Sequence, residues 1–185
     1  MSKTNHPAFD VIKTRRVTRS FTDEPVARED LVHLLKAALW ASNAGNRRIH
    51  KFVIVEDKAT IDLIRNFSPG MLGQPTALIV ICTDNLKAKV EGVKLEADST
   101  TWIDVGTASE NMMLAAHELG LGTCPTTSFS QSGVAAILNL PDHLVPEYIL
   151  QVGHPVPQTR VLRAGVTTSL HVEDFTYWGV FPEES

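Results

Sequence analysis

A continuous apolar run at residues 76–82 (TALIVIC) restricts this chain to folds that cover a strand on both faces. Residues 51–55 and 148–152 form two similar runs, and a shorter strand is predicted at 123–127. Apolar residues at helical spacing predict helices at 9–14, 28–40, 58–66, 102–119 and 131–138. Because these helices separate the strands, the sequence predicts a three-layer sandwich of the α+β or α/β class.

The predicted helix at 102–119 is apolar around most of its circumference. One stripe recurs at helical spacing: Val105, Ala108, Met112, Ala115 and Leu119. Further apolar residues spread around it: Ile103, Met113, Leu114 and Ala116. This is more apolar surface than one small domain normally covers, and Gly106 and Ser109 are small enough to allow a second helix to approach closely.

Composition narrows the class of protein and its partners. A chain of 185 residues with 43% apolar and 21% charged residues fits one globular domain over 1–185. A net charge of −4 argues against nucleic acid or an anionic membrane as a partner. Two separated cysteines and a start without an apolar signal core favour a reducing cytoplasm. The seven histidines lack metal-ligand spacing, and CxxC, P-loop and strand-linked GxGxxG motifs are absent from the sequence.

Three arginines follow the first predicted helix: Arg15, Arg16 and Arg19. A guanidinium is planar, remains charged and matches a phosphate with two parallel donors. Cations near a helix C-terminus also interact well with the helix dipole and are otherwise solvated. The triplet alone slightly favours this second interpretation.

A polar loop follows the second predicted helix and contains Ser42, Asn43 and Asn46. Its backbone N–H groups and amides suit the edge of a planar polar ring, although such residues cluster in turns for local reasons. Arg47 and Arg48 add positive charge, which would favour an anionic substrate or the phosphates of NAD(P)H. Simple solvation is the alternative, and for Arg47 it is the favoured one.

In their order and spacing, these two segments resemble the nitroreductase family of FMN-dependent oxidoreductases. A third match runs from Asp104-Val105-Gly106 through residues 119–123 (LGLGT). The resemblance spans residues 9–163 and implies an α+β fold, a three-layer α/β/α sandwich with a mixed central sheet flanked by helices. It also implies a homodimer formed through the long central helix.

The resemblance assigns roles residue by residue. The FMN phosphate and ribityl chain would contact Arg15, Arg16 and Arg19, with Val17 at a position where the family often has Ser. Three loop residues would reach the flavin from the partner subunit: Ser42, Asn43 and Asn46. A turn would lie against the flavin ring with a backbone N–H of Thr127 or Ser128 near N5; it comprises Pro125, Thr126, Thr127 and Ser128. Arg160 and Arg163 would close over the phosphate.

Arg48 and His50 stand where the family often reads Gln-Pro-Trp, and both are expected to border the substrate. Hydride from NADH or NADPH would reduce the flavin, and a small acceptor such as a nitroaromatic or a quinone would be reduced next. Residues 84–101 would help to shape its pocket. No catalytic acid or base is expected, because the cofactor carries the chemistry. Two alternatives stay open: a related flavoenzyme that uses oxygen or a specialised substrate, and a non-catalytic flavin-binding module.

Overall fold

The computed structural model describes residues 6–95, 98–157 and 171–179. The first half contains α1 (Pro7–Thr14), α2 (Arg28–Leu39), β1 (His50–Val55), α3 (Lys58–Asn66), β2 (Ala77–Asp84) and α4 (Asn85–Val90). The second half contains α5 (Thr100–Glu118), β3 (Gly122–Thr126), α6 (Gln131–Ile137) and β4 (Leu144–Gly153). Short 3-10 turns occupy Ala44–Asn46 and Val172–Phe175.

The four strands form one sheet in the order β1-β2-β4-β3, and each neighbouring pair is antiparallel. The sequence predicted a mixed sheet. Among the described residues, the parallel pairing is limited to one isolated bridge, between Val17 and Thr123. The sheet therefore fits an α+β fold, in which β3 forms one edge.

Helices cover both faces of the sheet, which confirms the three-layer arrangement. One core joins α2 and α5 to the sheet through Leu34, Met112, Ile79 and Leu150. The other joins α3 and α6 to the opposite face through Ile64, Val134, Leu78 and Ile149. Because neighbouring residues of β2 and β4 enter different cores, both strands read as continuous apolar runs.

Helix α5 is only partly covered within one chain. Its buried side includes Val105, Ala108 and Met112, whereas Trp102 and Ile103 are 55% and 60% exposed. A Cβ added at Gly106 would meet no atom within 4 Å. The N-terminal half of α5 thus presents a large apolar surface to solvent in the single chain. Within the described ranges, no helix combines the length and apolar character needed to cross a membrane.

Candidate functional site

The arginine segment, residues 15–19, lies along the free edge of β3. The N–H of Thr18 donates to the carbonyl of Thr123 over 2.8 Å, next to the parallel bridge between Val17 and Thr123. Further along, the N–H of Thr22 donates to the carbonyl of His154 over 2.8 Å. The segment is therefore held against β3 at Thr18, and the chain that follows it is held at the end of β4 by Thr22.

Close packing at Gly122 brings this segment near the strand. A Cβ at that position would lie 2.6 Å from Cγ2 of Thr18 and 2.7 Å from its Oγ1, shorter than van der Waals contact allows. Gly122 therefore permits an approach that any larger residue would prevent. Gly122 thus follows the end of α5 and also allows the arginine segment to pack against β3.

The three arginines differ in how much of their donor capacity is already used. Arg15 forms an ion pair with Glu110 of α5, with Nε 3.2 Å from Oε1, while its Nη1 is buried without a partner in the described ranges. Nη1 of Arg16 donates to the carbonyls of Lys13 and Arg15, each over 2.7 Å. Arg19 is exposed and has no ion pair among residues 6–95, 98–157 and 171–179. Arg19 is thus the cation with the most unused donors.

The predicted turn at 125–128 continues directly from the strand that holds the arginine segment. Pro125 is partly buried, Thr126 is buried, and Thr127 and Ser128 are exposed. The carbonyl of Ser128 accepts from the N–H of Gly70 over 3.0 Å. Thr123 and Thr126 lie about 10 Å apart at the usual rise of a strand. The structure therefore brings the arginine segment and this turn to one edge of the sheet.

Alternation along β3 fixes the direction of its backbone groups. Pro125 pairs with Leu150 but lacks an N–H, so the hydrogen-bonded pairs with β4 fall at Cys124 and Thr126. The backbone groups of Thr123 point away from β4, and its carbonyl accepts from the N–H of Thr18. Thr127 follows the last residue of β3 and is exposed.

The polar loop is anchored to the N-terminal half of α5. Both carboxylate oxygens of Asp104 accept from the N–H of Ala44, over 3.0 and 3.2 Å. The hydroxyl of Thr107 donates to the carbonyl of Ser42 over 2.9 Å. Asn43, which precedes this anchor, has a buried Oδ1 with no partner in the described part of the chain.

Backbone strain is concentrated in the same loop. Gly45, Asn46 and Arg48 have φ of 62°, 54° and 49°, so two residues other than glycine occupy the left-handed region. Nε of Arg48 donates to Oδ1 of Asn46 over 3.0 Å, and its Nη1 donates to the carbonyl of Leu39 over 3.2 Å. Arg48 thus holds the strained loop against the end of α2.

Arg47, which the sequence analysis expected to be solvated, forms an ion pair instead. Nη1 of Arg47 lies 3.0 Å from Oδ2 of Asp98, and both side chains are partly buried. That partner lies just before α5, so the sequence around Arg47 gave no sign of it. Arg47 is thus charge-paired, whereas Arg48 binds only neutral acceptors and keeps its positive charge at the loop.

His50 lines a small cavity of about 50 Å³ together with Asn43, Arg48 and Asp104. Its Nε2 is buried and has no partner among the described residues. Burial lowers the pKa of His50, and the nearby Asp104 carboxylate opposes that shift. The imidazole is therefore held mainly in its neutral form at neutral pH.

The two predicted halves of the site contact different parts of α5. On the arginine side, Arg15 pairs with Glu110. Oγ1 of Thr14, just before the arginines, lies 2.9 Å from Nε2 of His117. The loop reaches Asp104, about 9 Å along the helix axis from Glu110. Contacts within one chain therefore join the arginine segment to β3, which leads into the 125–128 turn, and the loop residues are anchored separately. Arg160 and Arg163 lie outside the described residues.

Sequence reasoning missed two residues of this region. Glu110 pairs with Arg15, and Gln151 of β4 donates from Nε2 to Oγ1 of Thr126 over 2.8 Å. Gln151 could have been found from the sequence, because it is a polar residue within the apolar run 148–152. Nothing in the sequence distinguished Glu110. No group of three or more His, Cys, Asp or Glu residues in the described ranges could hold a metal ion.

Comparison with known proteins gives a consistent result. The family model described as "Nitroreductase family" matches residues 12–69 and 63–154. A protein of Methanothermobacter thermautotrophicus, provisionally named NADH dehydrogenase/NAD(P)H nitroreductase, is 30% identical over 163 residues, covering 83% of this chain and 81% of its own length. An FMN reductase [NAD(P)H] of Bacillus subtilis is 29% identical over 168 residues, covering 81% of this chain and 68% of that protein.

A solved structure extends the similarity to the fold. The crystal structure of a protein from Parabacteroides distasonis, also provisionally named NADH dehydrogenase/NAD(P)H nitroreductase, superposes with a TM-score of 0.77 at 26% identity. The match covers 95% of this chain and all of the other. Sequence and fold agree: this chain belongs to the nitroreductase family.

Proposed function

We propose that this protein is an FMN-dependent oxidoreductase that takes hydride from NADH or NADPH and reduces a small acceptor, such as a nitroaromatic or a quinone. Membership of the nitroreductase family supports the reaction class. The names of its relatives, NAD(P)H nitroreductase and FMN reductase, support the cofactor and the electron donor. The observation that carries the proposal is the arginine segment held on the same edge strand as the 125–128 turn.

The donor set at this edge fits a phosphate-bearing cofactor. Arg19 has unused donors, and Nη1 of Arg15 is buried without a partner in the described ranges. A phosphate would accept these donors and neutralise their charge. Arg16, whose Nη1 already binds backbone carbonyls, would contribute mainly through its charge. The edge thus offers an anion site on the strand that leads into the 125–128 turn.

The protein's part in the reaction is to bind and to orient. Bound FMN would supply a ring that accepts hydride from the nicotinamide and passes electrons to the acceptor. The turn at 125–128 is expected to lie against this ring, with a backbone N–H of Thr127 or Ser128 near its N5 atom. Neutral His50, in its small cavity, would help to set the shape of the acceptor side.

The site is proposed to be complete only in a homodimer. Trp40, Trp102 and Ile103 are 89%, 55% and 60% exposed, a large apolar surface around the loop and the N-terminal half of α5. A second copy that covers this surface would bring the Ser42, Asn43 and Asn46 loop of one subunit to the arginine edge of the other. This arrangement would account for the separate anchoring of the loop in one chain.

The test is the identity and the turnover of the bound flavin. Heat-released cofactor, separated by chromatography, should be FMN, and the loaded protein should oxidise NADH or NADPH faster when a nitroaromatic or a quinone is present. FAD as the main species, or no binding when FMN is supplied in excess, would contradict the proposal.

A further inference from the structure

Gln151 is a fully buried polar side chain behind the proposed cofactor edge. It lies in β4, paired with Leu78 of β2 and Cys124 of β3, and is 0% exposed. Its Nε2 donates to Oγ1 of Thr126 over 2.8 Å, while its Oε1 is buried without a partner in the described part of the chain. A buried acceptor without a hydrogen bond destabilises a protein. A feature of this kind in the centre of a sheet calls for a reason other than stability.

The position of Oε1 connects Gln151 to the arginine segment. A Cβ added at Gly73 would lie 2.9 Å from Oε1 of Gln151, 3.1 Å from the carbonyl oxygen of Arg19 and 2.7 Å from Cε2 of Phe21. All three groups therefore surround one glycine. The nearby Gly70 donates its N–H to the carbonyl of Ser128. The stretch 70–73 thus packs against both segments that are proposed to bind the cofactor.

From these contacts we infer that Gln151 is a positioning residue, which fixes the Thr126 turn relative to the Arg19 segment and so sets the geometry of the cofactor edge. The inference rests on the proposed function. Gln151 reaches the turn directly by its hydrogen bond and reaches the arginine segment by packing around Gly73. It touches no reacting atom, so its effect would pass through Thr126 and Arg19. Residues that hold a binding group in place commonly act in this way.

The first variant is Gln151→Met, which keeps an unbranched side chain of similar length and removes the amide. We expect the Kd for FMN to rise about two- to tenfold, the range for loss of one neutral hydrogen bond. The urea midpoint of the FMN-free protein should change little, because removal of the unsatisfied Oε1 acceptor offsets the loss of the hydrogen bond to the buried Thr126 hydroxyl. The visible circular dichroism of bound flavin should change as well, since the turn has shifted.

Two variants of Thr126 test the same hydrogen bond at its acceptor. Thr126→Val removes the hydroxyl and should weaken FMN binding, whereas Thr126→Ser keeps the hydroxyl and should bind FMN normally. The double variant Gln151→Met with Thr126→Val should bind no more weakly than the worse single variant. Thr101→Val is the control: its hydroxyl is buried like that of Thr126, but it has no partner in the described ranges and lies in the first turn of α5.

Three results would overturn the inference while leaving the proposed function intact. They are an unchanged Kd in Gln151→Met, additive effects in the double variant, and a loss of FMN affinity that follows an equal loss of stability in the FMN-free protein. If Gln151→Met fails to fold, the comparison of Thr126→Val with Thr126→Ser decides alone, and equal affinities overturn the inference. Wild-type protein that does not bind FMN would contradict both the inference and the proposed function.

Discussion

Replacing Arg19 by Ala should weaken FMN binding and leave the fold unchanged. Arg19 is exposed and has no ion pair in the described ranges, so its truncation removes no contact that holds the protein together. A hydrogen bond to a charged group contributes about 1.5–3 kcal/mol. Because about 1.4 kcal/mol corresponds to a tenfold change, the Kd for FMN should rise about ten- to a hundredfold.

Arg15→Ala should act in the same direction with one added effect. Its guanidinium is also the ion-pair partner of Glu110, and the two side chains are 22% and 47% exposed. A pair this accessible to solvent contributes about 0.2–1 kcal/mol. The FMN-free form of Arg15→Ala should therefore unfold at slightly lower urea concentration, whereas that of Arg19→Ala should match the wild type.

Quenching of flavin fluorescence during titration gives the Kd, and Arg28→Ala is the control because Arg28 is an exposed arginine at the start of α2. At saturating FMN, reduction by NADH or NADPH should recover in both site variants, since they weaken a phosphate contact only. An unchanged Kd in Arg19→Ala would refute the reasoning. Arg15→Ala that binds FMN normally but is not reduced would assign Arg15 to the nicotinamide instead.

Three further predictions concern the dimer, pH and packing. Light scattering at low concentration should show two chains, and Ile103→Glu, which places a charge on the exposed apolar surface, should give monomers with weak FMN binding; a flavin-loaded wild-type monomer would contradict the dimer. Because burial lowers the pKa of His50, the unfolded chain binds more protons below about pH 6.5, so the free energy of unfolding should fall as the pH drops through that value. His50→Gln should make this fall shallower in urea titrations at several pH values, and an unchanged slope would exclude His50 as its source. Gly122→Ala should cost about 1–3 kcal/mol in urea unfolding through its clash with Thr18, and Thr18→Gly should recover part of the loss; a neutral Gly122→Ala would mean that the arginine segment moves freely.

Apolar patterning was sufficient to predict the layers and most of the elements. All but the first residue of the run at 76–82 lies in β2, the run at 148–152 lies in β4, and the predicted helix at 58–66 is α3. Strand β4 begins at Leu144, earlier than predicted, because Pro146 and half-buried Glu147 hide its first residues in the sequence. Helix α4 was missed because Ala88 is its only buried residue, so it carries no apolar stripe.

The segments of the candidate site came from resemblance to the family, and their role in binding FMN stays a prediction. The structure shows that the arginine segment contacts β3 at Thr123 and that β3 leads into the 125–128 turn, which the sequence alone did not indicate. The ion pairs of Arg15 with Glu110 and Arg47 with Asp98 join residues far apart in the chain, and no local pattern encodes them. The strained backbone at Arg48 likewise depends on contacts with α2 that appear only in the folded chain.

The most direct test of the central claim is the anaerobic visible spectrum of the FMN-loaded protein before and after addition of NADH or NADPH. The account predicts that at least one of them bleaches the absorption band of the oxidised flavin, and that a nitroaromatic or a quinone restores it. Tightly bound FMN that neither nicotinamide can reduce would contradict an NAD(P)H oxidoreductase and would support a flavin-binding module instead.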